Sequence, residues 1–472
     1  MDVQMKKSLD AIFRPGSIAV VGASNNIQSW GFGMLNSLMA GRFRNKIYPI
    51  NPKEKIIQGL PGYPSLRDVP NEIDLALIVV NASSVAKVIE ECIAKKVKGG
   101  IVITAGFAEI SSDGAEIQKQ IAEVSKKAGF YFLGPNCLGV WSTEGNLNTF
   151  TNMVRRPHRG PISFLSQSGT LGNYLYDASR KYGFGVSKFI SFGNQASISF
   201  VDLLEYLGDD PTTKVIISYV EDIGDGHRFL EVAKSVTQKK PLLIYKAGSS
   251  EAAARAARSH TAALAGNDAI FEAVCRQAGA IRWHDFMEMF YMANSLCYQP
   301  LPKGNRVAII HGGGGFCVTA TEACTRLGLS VPEMSQQAQD ELRDQMLPFS
   351  PPPVNPIDCI GRKNEKAYLN IIEIVAKQDH IDCLIVMPTR DNFNRYTKSS
   401  EMIDTLKITE AIAAIPSKYQ KPIVVAANEE QITGPIDEIF KRYHIPTFSS
   451  PVDCAKALWA MVKYSQILKN RK

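Results

Sequence analysis

No stretch of this sequence stays apolar long enough to cross a membrane. The longest apolar runs, such as Leu75–Val80, are strand-sized, against about 20 residues for a spanning helix. The amino terminus, MDVQMKKSLDAIF, has lysines but no apolar run behind them, so it does not read as a secretory signal. Cysteine is sparse and scattered, 9 in 472 residues, with no Cys-x-x-Cys pair. Zinc ribbons and thioredoxin-type chemistry are therefore unsupported, no metal site is expected, and the dispersed thiols suit a reducing cytosol. There is no long Lys/Arg block. A formal net charge of +7 over this length is a mild bias, compatible with small anionic ligands but no ground for a nucleic-acid binder. No Gly-x-x-x-x-Gly-Lys-Ser/Thr loop occurs, which removes the P-loop route to nucleotide binding. These absences describe a soluble protein with no membrane or nucleic-acid partner, expected in the cytoplasm.

What is present is an alternation of short β-branched runs with longer amphipathic segments, the pattern of parallel sheets with crossover helices. At roughly 100–200 residues per domain the length makes about three domains. The first block, 1–150, has candidate strands at Ser17–Val21, Lys46–Ile50, Leu75–Val80, Gly100–Thr104 and Phe130–Leu133. The second, 151–300, has them at Ile162–Leu165, Val186–Ile190, Lys214–Val220 and Leu242–Tyr245. A Pro/Gly-rich linker at 299–304 opens the third, 301–472, with strands at Arg306–Ile310, Cys383–Met387 and Ile423–Ala426. Blocks two and three open alike, PISFLSQSGTLG and RVAIIHGGGGFC: a buried strand, a turn of small residues, a helix. Such a turn aims free backbone N–H groups, and the positive end of the helix dipole, at an anion. It is equally a plain tight turn, but two in one chain favour phosphate chemistry.

The first strand runs into Gly22, Ala23, Ser24 and Asn25, with Trp30-Gly31-Phe32-Gly33 opening a helix. This is the dinucleotide-fold position without its Gly-x-Gly-x-x-Gly spacing. The acid expected at the end of the second strand to hold a ribose is replaced by Asn51-Pro52-Lys53. A lysine there suits a ligand with an extra phosphate, such as coenzyme A, or is a surface residue after a proline turn. It argues against an NAD-dependent oxidoreductase. The turns at Ile103, Thr104 and Ala105 and at Asn136 end two further strands, where open α/β sheets bind ligands. Cys137 has no evident base beside it, which favours a positional role. His260 lies among small residues in ARSHTAALAG. An imidazole can act as a nucleophile toward phosphorus when a carboxylate fixes its tautomer, and Glu221 ends a strand where such a partner could stand. A histidine among alanines also suits a purely structural place.

VVGAS, YPINPK, ITAGFAE, LGPNCLG, SFLSQSGTLG, SFGNQA, YVEDI, the segment around His260 and NPIDCIG occur in this order along nearly the whole chain. The series resembles the NDP-forming acyl-CoA synthetases, the superfamily of succinyl-CoA synthetase, and within it the α subunit of the ADP-forming type. The resemblance implies an α/β fold: a Rossmann-like CoA-binding domain followed by two flavodoxin-like domains. It implies that His260 carries phosphate with Glu221 supporting it. It places CoA on Gly22, Ala23, Ser24, Asn25, Lys53, Ile103, Thr104, Ala105 and Asn136. It places phosphate on two facing helix starts, Ser168, Gly169 and Thr170 and Gly313, Gly314 and Gly315. Two departures stand out: Ala262 replaces a glycine after the histidine, and His311 stands where a small or amide side chain is usual. Thr149–Asn152 and Ser191–Gln195 are expected to border the acyl site.

With no nucleotide domain in the sequence, the resemblance also implies a separate ATP-grasp β subunit supplying the ATP/ADP and Mg²⁺ site, in an α2β2 assembly. The expected activity is ADP-forming ligation of a small carboxylic acid to CoA. The alternative is a non-catalytic CoA-binding sensor of the same fold. If the CoA and phosphate sites belong to different domains, a bulky residue at Gly169 should abolish phosphate use and leave CoA binding intact.

Overall fold

A computed structural model describes residues 1–41, 43–150, 157–250, 252–253, 255, 267–389, 399–427 and 434–470. His260, Thr151 and Asn152 lie outside these residues. Met1–Arg180 and Gly185–Phe286 form one compact unit, and Lys181–Phe184 with Met287–Lys472 form another.

Three main sheets carry the fold, and their parallel strands share one order. In the first, Ser17–Val21 pairs with Lys46–Ile50 on one side and Leu75–Ile78 on the other, followed by Gly99–Val102 and Tyr131–Leu133, all parallel. The chain order across the sheet is therefore 2-1-3-4-5, with its switch point between the first and third strands. In the second sheet Arg159–Ser166 stands between Val186–Ser191 and Val215–Val220, with Leu242–Lys246 and Ile281–Arg282 beyond. In the third, Val307–His311 stands between Ile357–Asp358 and Cys383–Val386, with Ile423–Ala426 and Thr447–Phe448 beyond. The similar openings of blocks two and three thus mark the same strand of the same topology. A 2-1-3-4-5 order leaves a crevice at the carboxyl end of the first strand, where neighbouring connections leave to opposite faces.

The strands read as continuous apolar runs because both sheet faces are covered. In the first sheet Ile18, Val20, Leu75 and Leu77 pack with Leu9, Ile12, Met34 and Leu38. The alternating residues Ala19, Val21, Ala76 and Ile78 pack on the other face with Val85, Ile89 and Cys92.

The second sheet gains an edge from before residue 150. Val140–Ser142 and Leu147–Asn148 precede residue 150, yet Val140–Ser142 pairs antiparallel with Val186–Ser191 and extends the second sheet. Aromatic packing holds this edge: the Trp141 ring centroid lies 5.4 Å from Phe150 and 5.5 Å from Phe189.

The same strand carries a buried ion pair. Lys188, its side chain 1% exposed, donates to Asp210 Oδ2 at 2.7 Å and Thr212 Oγ1 at 2.9 Å. Burial pushes the Asp210 carboxyl up, but the contacts from Lys188 and Thr213 outweigh it and hold the carboxyl below its ordinary range. The carboxylate therefore stabilises the fold above its unfolded pKa, and this contribution is lost as pH falls through the depressed value. Lys188→Ala strands the carboxylate in the interior and is expected to cost about 3–5 kcal/mol. Denaturant titration at neutral pH checks this; an unchanged midpoint would mean that the pair is dispensable.

Candidate functional site

The crevice at the first sheet's switch point is a cavity of about 600 Å³, within the range of small-molecule sites, roughly 300–1,000 Å³. It lies wholly in the first compact unit. Gly22, Trp30 and Gly31, the strand ends at Val79–Asn81 and Ile103–Ala105, and the turns at Asn136–Leu138 and Gln167–Thr170 line it. The expected CoA residues Gly22, Ile103, Thr104, Ala105 and Asn136 thus meet the expected phosphate residues Ser168, Gly169 and Thr170 in one space.

Local sequence explains the first turn. Gly22 has φ +93°, and a Cβ on it would lie 2.2 Å from the Val79 carbonyl oxygen. A Cβ on Gly31 would lie 1.9 Å from the Gly22 oxygen. Only a pair of glycines lets the helix Trp30–Ala40 start this close to the turn, with Ser29 Oγ accepting the Phe32 N–H at its amino end. Ala23 is fully buried and serves the site through its backbone, its carbonyl accepting from the Asn51 amide at 2.8 Å. Ser24 and Asn25 are turned elsewhere. Asn25 donates its backbone N–H and its side-chain amide to Glu54, and the Ser24 hydroxyl reaches the same carboxylate at 3.5 Å. An acid does follow the second strand, then, but it holds the first turn. Lys53 beside it is exposed and has no ion-pair partner among the described residues.

The strand-end loops of the first two sheets are stitched by backbone hydrogen bonds. The N–H groups of Asn194, Ala196 and Ile198 donate to the carbonyls of Pro135, Gly134 and Phe132 at 2.9, 3.0 and 3.2 Å. The Asn136 amide donates to Asn194 Oδ1 at 3.3 Å, and the Asn194 amide donates to Glu109 and Gln118 at 2.6 and 2.9 Å. Burial opposes the Glu109 charge, yet the N–H of Gly106 and the amide of Asn194 hold this carboxyl below its ordinary range. Of the expected acyl-site border, Thr149 is buried with its hydroxyl on Val140, and Phe150 packs in the aromatic edge. Ser191 is also buried, its hydroxyl accepting the Leu138 N–H; Gly193 and Asn194 do line the cavity. Burial pushes the Cys137 thiol up to about 12, its Sγ donating to the Val102 carbonyl. A protonated, enclosed thiol packs rather than attacks.

Glu221 follows the strand Val215–Val220 directly and is 6% exposed. Its backbone N–H and that of Asp222 both donate to Gln167 Oε1, at 2.8 and 3.1 Å. Its carbonyl accepts from Lys246 Nζ at 2.7 Å. Burial lowers the Lys246 pKa against the pull of Asp222, Asp268 and Glu221. The Gln195 amide donates to the Asp222 carbonyl at 3.0 Å. Two glutamines from neighbouring turns therefore clamp this bend. The sequence reading passed over Gln167 and Glu54 and took Gln195 only as a border of the acyl site; Gln167 sits inside the quoted Ser-Gln-Ser-Gly run, but nothing in the run says where its side chain goes.

In the second unit, Gly313 caps the helix Gly314–Arg326. Gly314 faces Asp358, whose Oδ2 lies 3.1 Å from the position of an added Cβ, whereas Gly315 has open space around it. His311 stacks on Phe316 with ring centroids 4.0 Å apart. Burial lowers its pKa to about 4, Asp358 opposing and Arg362 adding to the shift. At neutral pH it is uncharged and offers no charge-assisted contact.

A switch-point cavity running onto a Ser-Gly-Thr turn, with the backbone of the buried Glu221 tied to the residue before that turn, defines an α/β protein with a ligand-sized crevice. Residues 16–143 match a CoA binding domain, and residues 159–296 a succinyl-CoA ligase like flavodoxin domain. The α subunit of acetate–CoA ligase (ADP-forming) II from Pyrococcus furiosus is 36% identical over 97% of this chain and 98% of its own length. The 4-hydroxybutyrate–CoA ligase (ADP-forming) of Nitrosopumilus maritimus is 34% identical over 97% of this chain, which spans 64% of that longer protein. A solved dinucleotide-forming acetyl-coenzyme A synthetase 1 of Ca. Korarchaeum cryptofilum, in complex with phosphate and ADP, superposes with a TM-score of 0.87 at 29% identity, covering 98% of this chain and 99% of that one. The chain belongs to the ADP-forming acyl-CoA synthetase family and matches its separate α subunits.

The geometry points to a different expectation for Gly169. A Cβ there would lie 2.4 Å from Leu138 Cγ and 2.6 Å from its Cβ, and Leu138 lines the same cavity. Overpacking of this kind costs about 1–3 kcal/mol. Gly169→Val is therefore expected to weaken CoA binding roughly tenfold as well as phosphate use. Calorimetric titration with CoA checks this; wild-type affinity would show that the two sites are mechanically separate.

Proposed function

We propose that this chain is the catalytic α subunit of an enzyme interconverting acid, ATP and CoA with acyl-CoA, ADP and phosphate. A phosphate oxygen attacks the thioester carbonyl; the C–S bond breaks, and CoA leaves with a proton as the thiol. An imidazole nitrogen of His260 attacks phosphorus in the acyl phosphate; the P–O bond breaks and the carboxylate leaves. An ADP oxygen then attacks the phosphohistidine, the P–N bond breaks, and ATP and free imidazole result. The nucleotide and Mg²⁺ belong, on this reading, to an ATP-grasp β subunit in an α2β2 assembly.

The observation that carries the reading is the single cavity shared by the first sheet's strand ends and the Ser168–Thr170 turn. Thioester and phosphate must meet within bonding distance, and a common cavity is the arrangement that permits it. We assign CoA to the first-sheet side of the cavity, with exposed Lys53 meeting its ribose phosphate. Backbone N–H groups at Ser168, Gly169 and Thr170 face the phosphoryl group, the largest stabilising contribution in such transfers. The turn at Gly313, Gly314 and Gly315 is assigned to phosphate during the relay. Residues 1–150, 151–300 and 301–472 then serve as CoA-binding, phosphohistidine-bearing and second flavodoxin-like parts. Glu221, buried and held at its backbone, is suited to fixing the imidazole tautomer and stabilising its positive form.

The test is ATP formation from ADP, phosphate and a panel of acyl-CoA thioesters by the chain with its partner subunit. Turnover is expected for at least one short-chain acyl-CoA. Glu221→Gln should keep the fold and reduce turnover about 10²–10⁴-fold, the usual range for an acid–base partner. No turnover with any thioester, or undiminished turnover in Glu221→Gln, would contradict the proposal.

A further inference from the structure

Gln167 stands at the junction of the two halves of the site. Its backbone N–H donates to the Tyr219 carbonyl at 3.0 Å, so the residue prolongs the ladder between Arg159–Ser166 and Val215–Val220. It is 9% exposed. Its side-chain oxygen accepts two backbone N–H groups, from Glu221 and Asp222. That settles which end of the amide is which, because an NH₂ group cannot accept either bond. The NH₂ end is therefore turned away from the bend. Among the described residues nothing accepts a hydrogen bond from it, and the residue lines the cavity beside Ser168, Gly169 and Thr170. A polar side chain this deeply buried is expected to find a partner for each of its groups. Here that partner position is open to the cavity.

We propose that Gln167 is a substrate-binding residue, its NH₂ donating to a phosphoryl oxygen of phosphate or acyl phosphate in the cavity. The inference rests on the function proposed above and adds to it a donor supplied by neither backbone nor helix dipole. The amide is preorganised, since its carbonyl is already anchored and no rotamer must be chosen when the phosphoryl group arrives. The same side chain connects that group to the backbone of Glu221. A neutral donor also suits a site that must release the phosphoryl group, where a lysine or arginine would hold it as an ion pair.

Gln167→Glu tests this in the complex with the partner subunit. The variant retains an oxygen for the Glu221 and Asp222 N–H groups but replaces the donor by a negative charge. The KM for phosphate should rise at least tenfold and turnover should fall about 10²–10³-fold, as for loss of one preorganised oxyanion donor. The affinity for CoA, the KM for acyl-CoA and the thermal unfolding midpoint should stay near wild type. The deficit should shrink as pH falls, because a neutral carboxyl again offers a donor. Gln167→Met, which removes donor and acceptor together, should show the same phosphate defect and a lower unfolding midpoint. Wild-type phosphate KM and turnover in Gln167→Glu beside a defective Gln167→Met would reduce Gln167 to a structural clamp and overturn the proposal. A rise in the acyl-CoA KM alone would overturn it also, by moving the donor to the acyl oxygen. A crystal structure of the wild-type protein with phosphate is independent of any variant: Nε2 should lie within about 3.2 Å of a phosphate oxygen, and a phosphate bound at the turn beyond its reach would contradict the assignment. Failure of the wild-type complex to make ATP would count against the proposed function instead.

Discussion

The site depends on a seam of backbone hydrogen bonds. Two loops leave the carboxyl ends of different sheets, one through Gly134, Pro135 and Asn136 and the other through Gly193, Asn194 and Gln195. Three consecutive alternate N–H groups of the second loop donate to carbonyls of the first and of the strand before it. Backbone bonds of this kind fix register as well as distance, so the two sheets cannot slide at their carboxyl ends without breaking several bonds together. Side chains then fill in around the seam. Asn194 ties it to Glu109, whose carboxylate also accepts the Gly106 N–H. The Leu138 N–H is held by Ser191. One cavity results, with walls from two sheets, and the proposed reaction of a thioester with phosphate would use both walls.

The second consequence is that three acidic side chains near the cavity, Glu221 apart, are committed to holding backbone. Glu54 holds the first turn, Glu109 the turn at Gly106, and the Asp222 carboxylate accepts the Gly224 N–H. A crevice proposed to take phosphate gains from this, because these three carboxylates accept from N–H donors instead of facing the incoming anion. The third sheet has the same topology but a different turn, with the Asp358 carboxylate close to Gly314 and an uncharged His311. The two small-residue turns that look alike in sequence therefore differ in electrostatics.

Much of this was legible in the residues. Strand and helix alternation announces parallel sheets, because a strand buried on both faces has to be apolar throughout. The strand-end turns at Gly22, Ile103–Ala105 and Asn136 announce the crevice, because the topology places ligands there; that Ser168–Thr170 opens onto the same space was not announced. The edge hairpin was not legible: Val140–Ser142 is too short to show which sheet it joins, and the aromatic contacts that decide it come from distant residues. Glu54 was missed because its role depends on the chain folding back over the first turn. Gln167 was missed because its partner lies 54 residues away, and side-chain contacts between neighbouring strands leave no local pattern. The shared wall of Gly169 and Leu138 was not legible for a related reason, since a domain boundary drawn on the sequence says nothing about which side chains share a wall.

The central claim is that thioester and phosphate react in this one cavity and that the phosphoryl group passes to His260. The most direct measurement supplies labelled inorganic phosphate and acyl-CoA to the complex in the absence of nucleotide. The account predicts label on this chain that is acid-labile and base-stable, as a phosphoramidate is, that maps to His260, and that requires acyl-CoA. Label that forms without acyl-CoA, or that persists in His260→Ala, would contradict it.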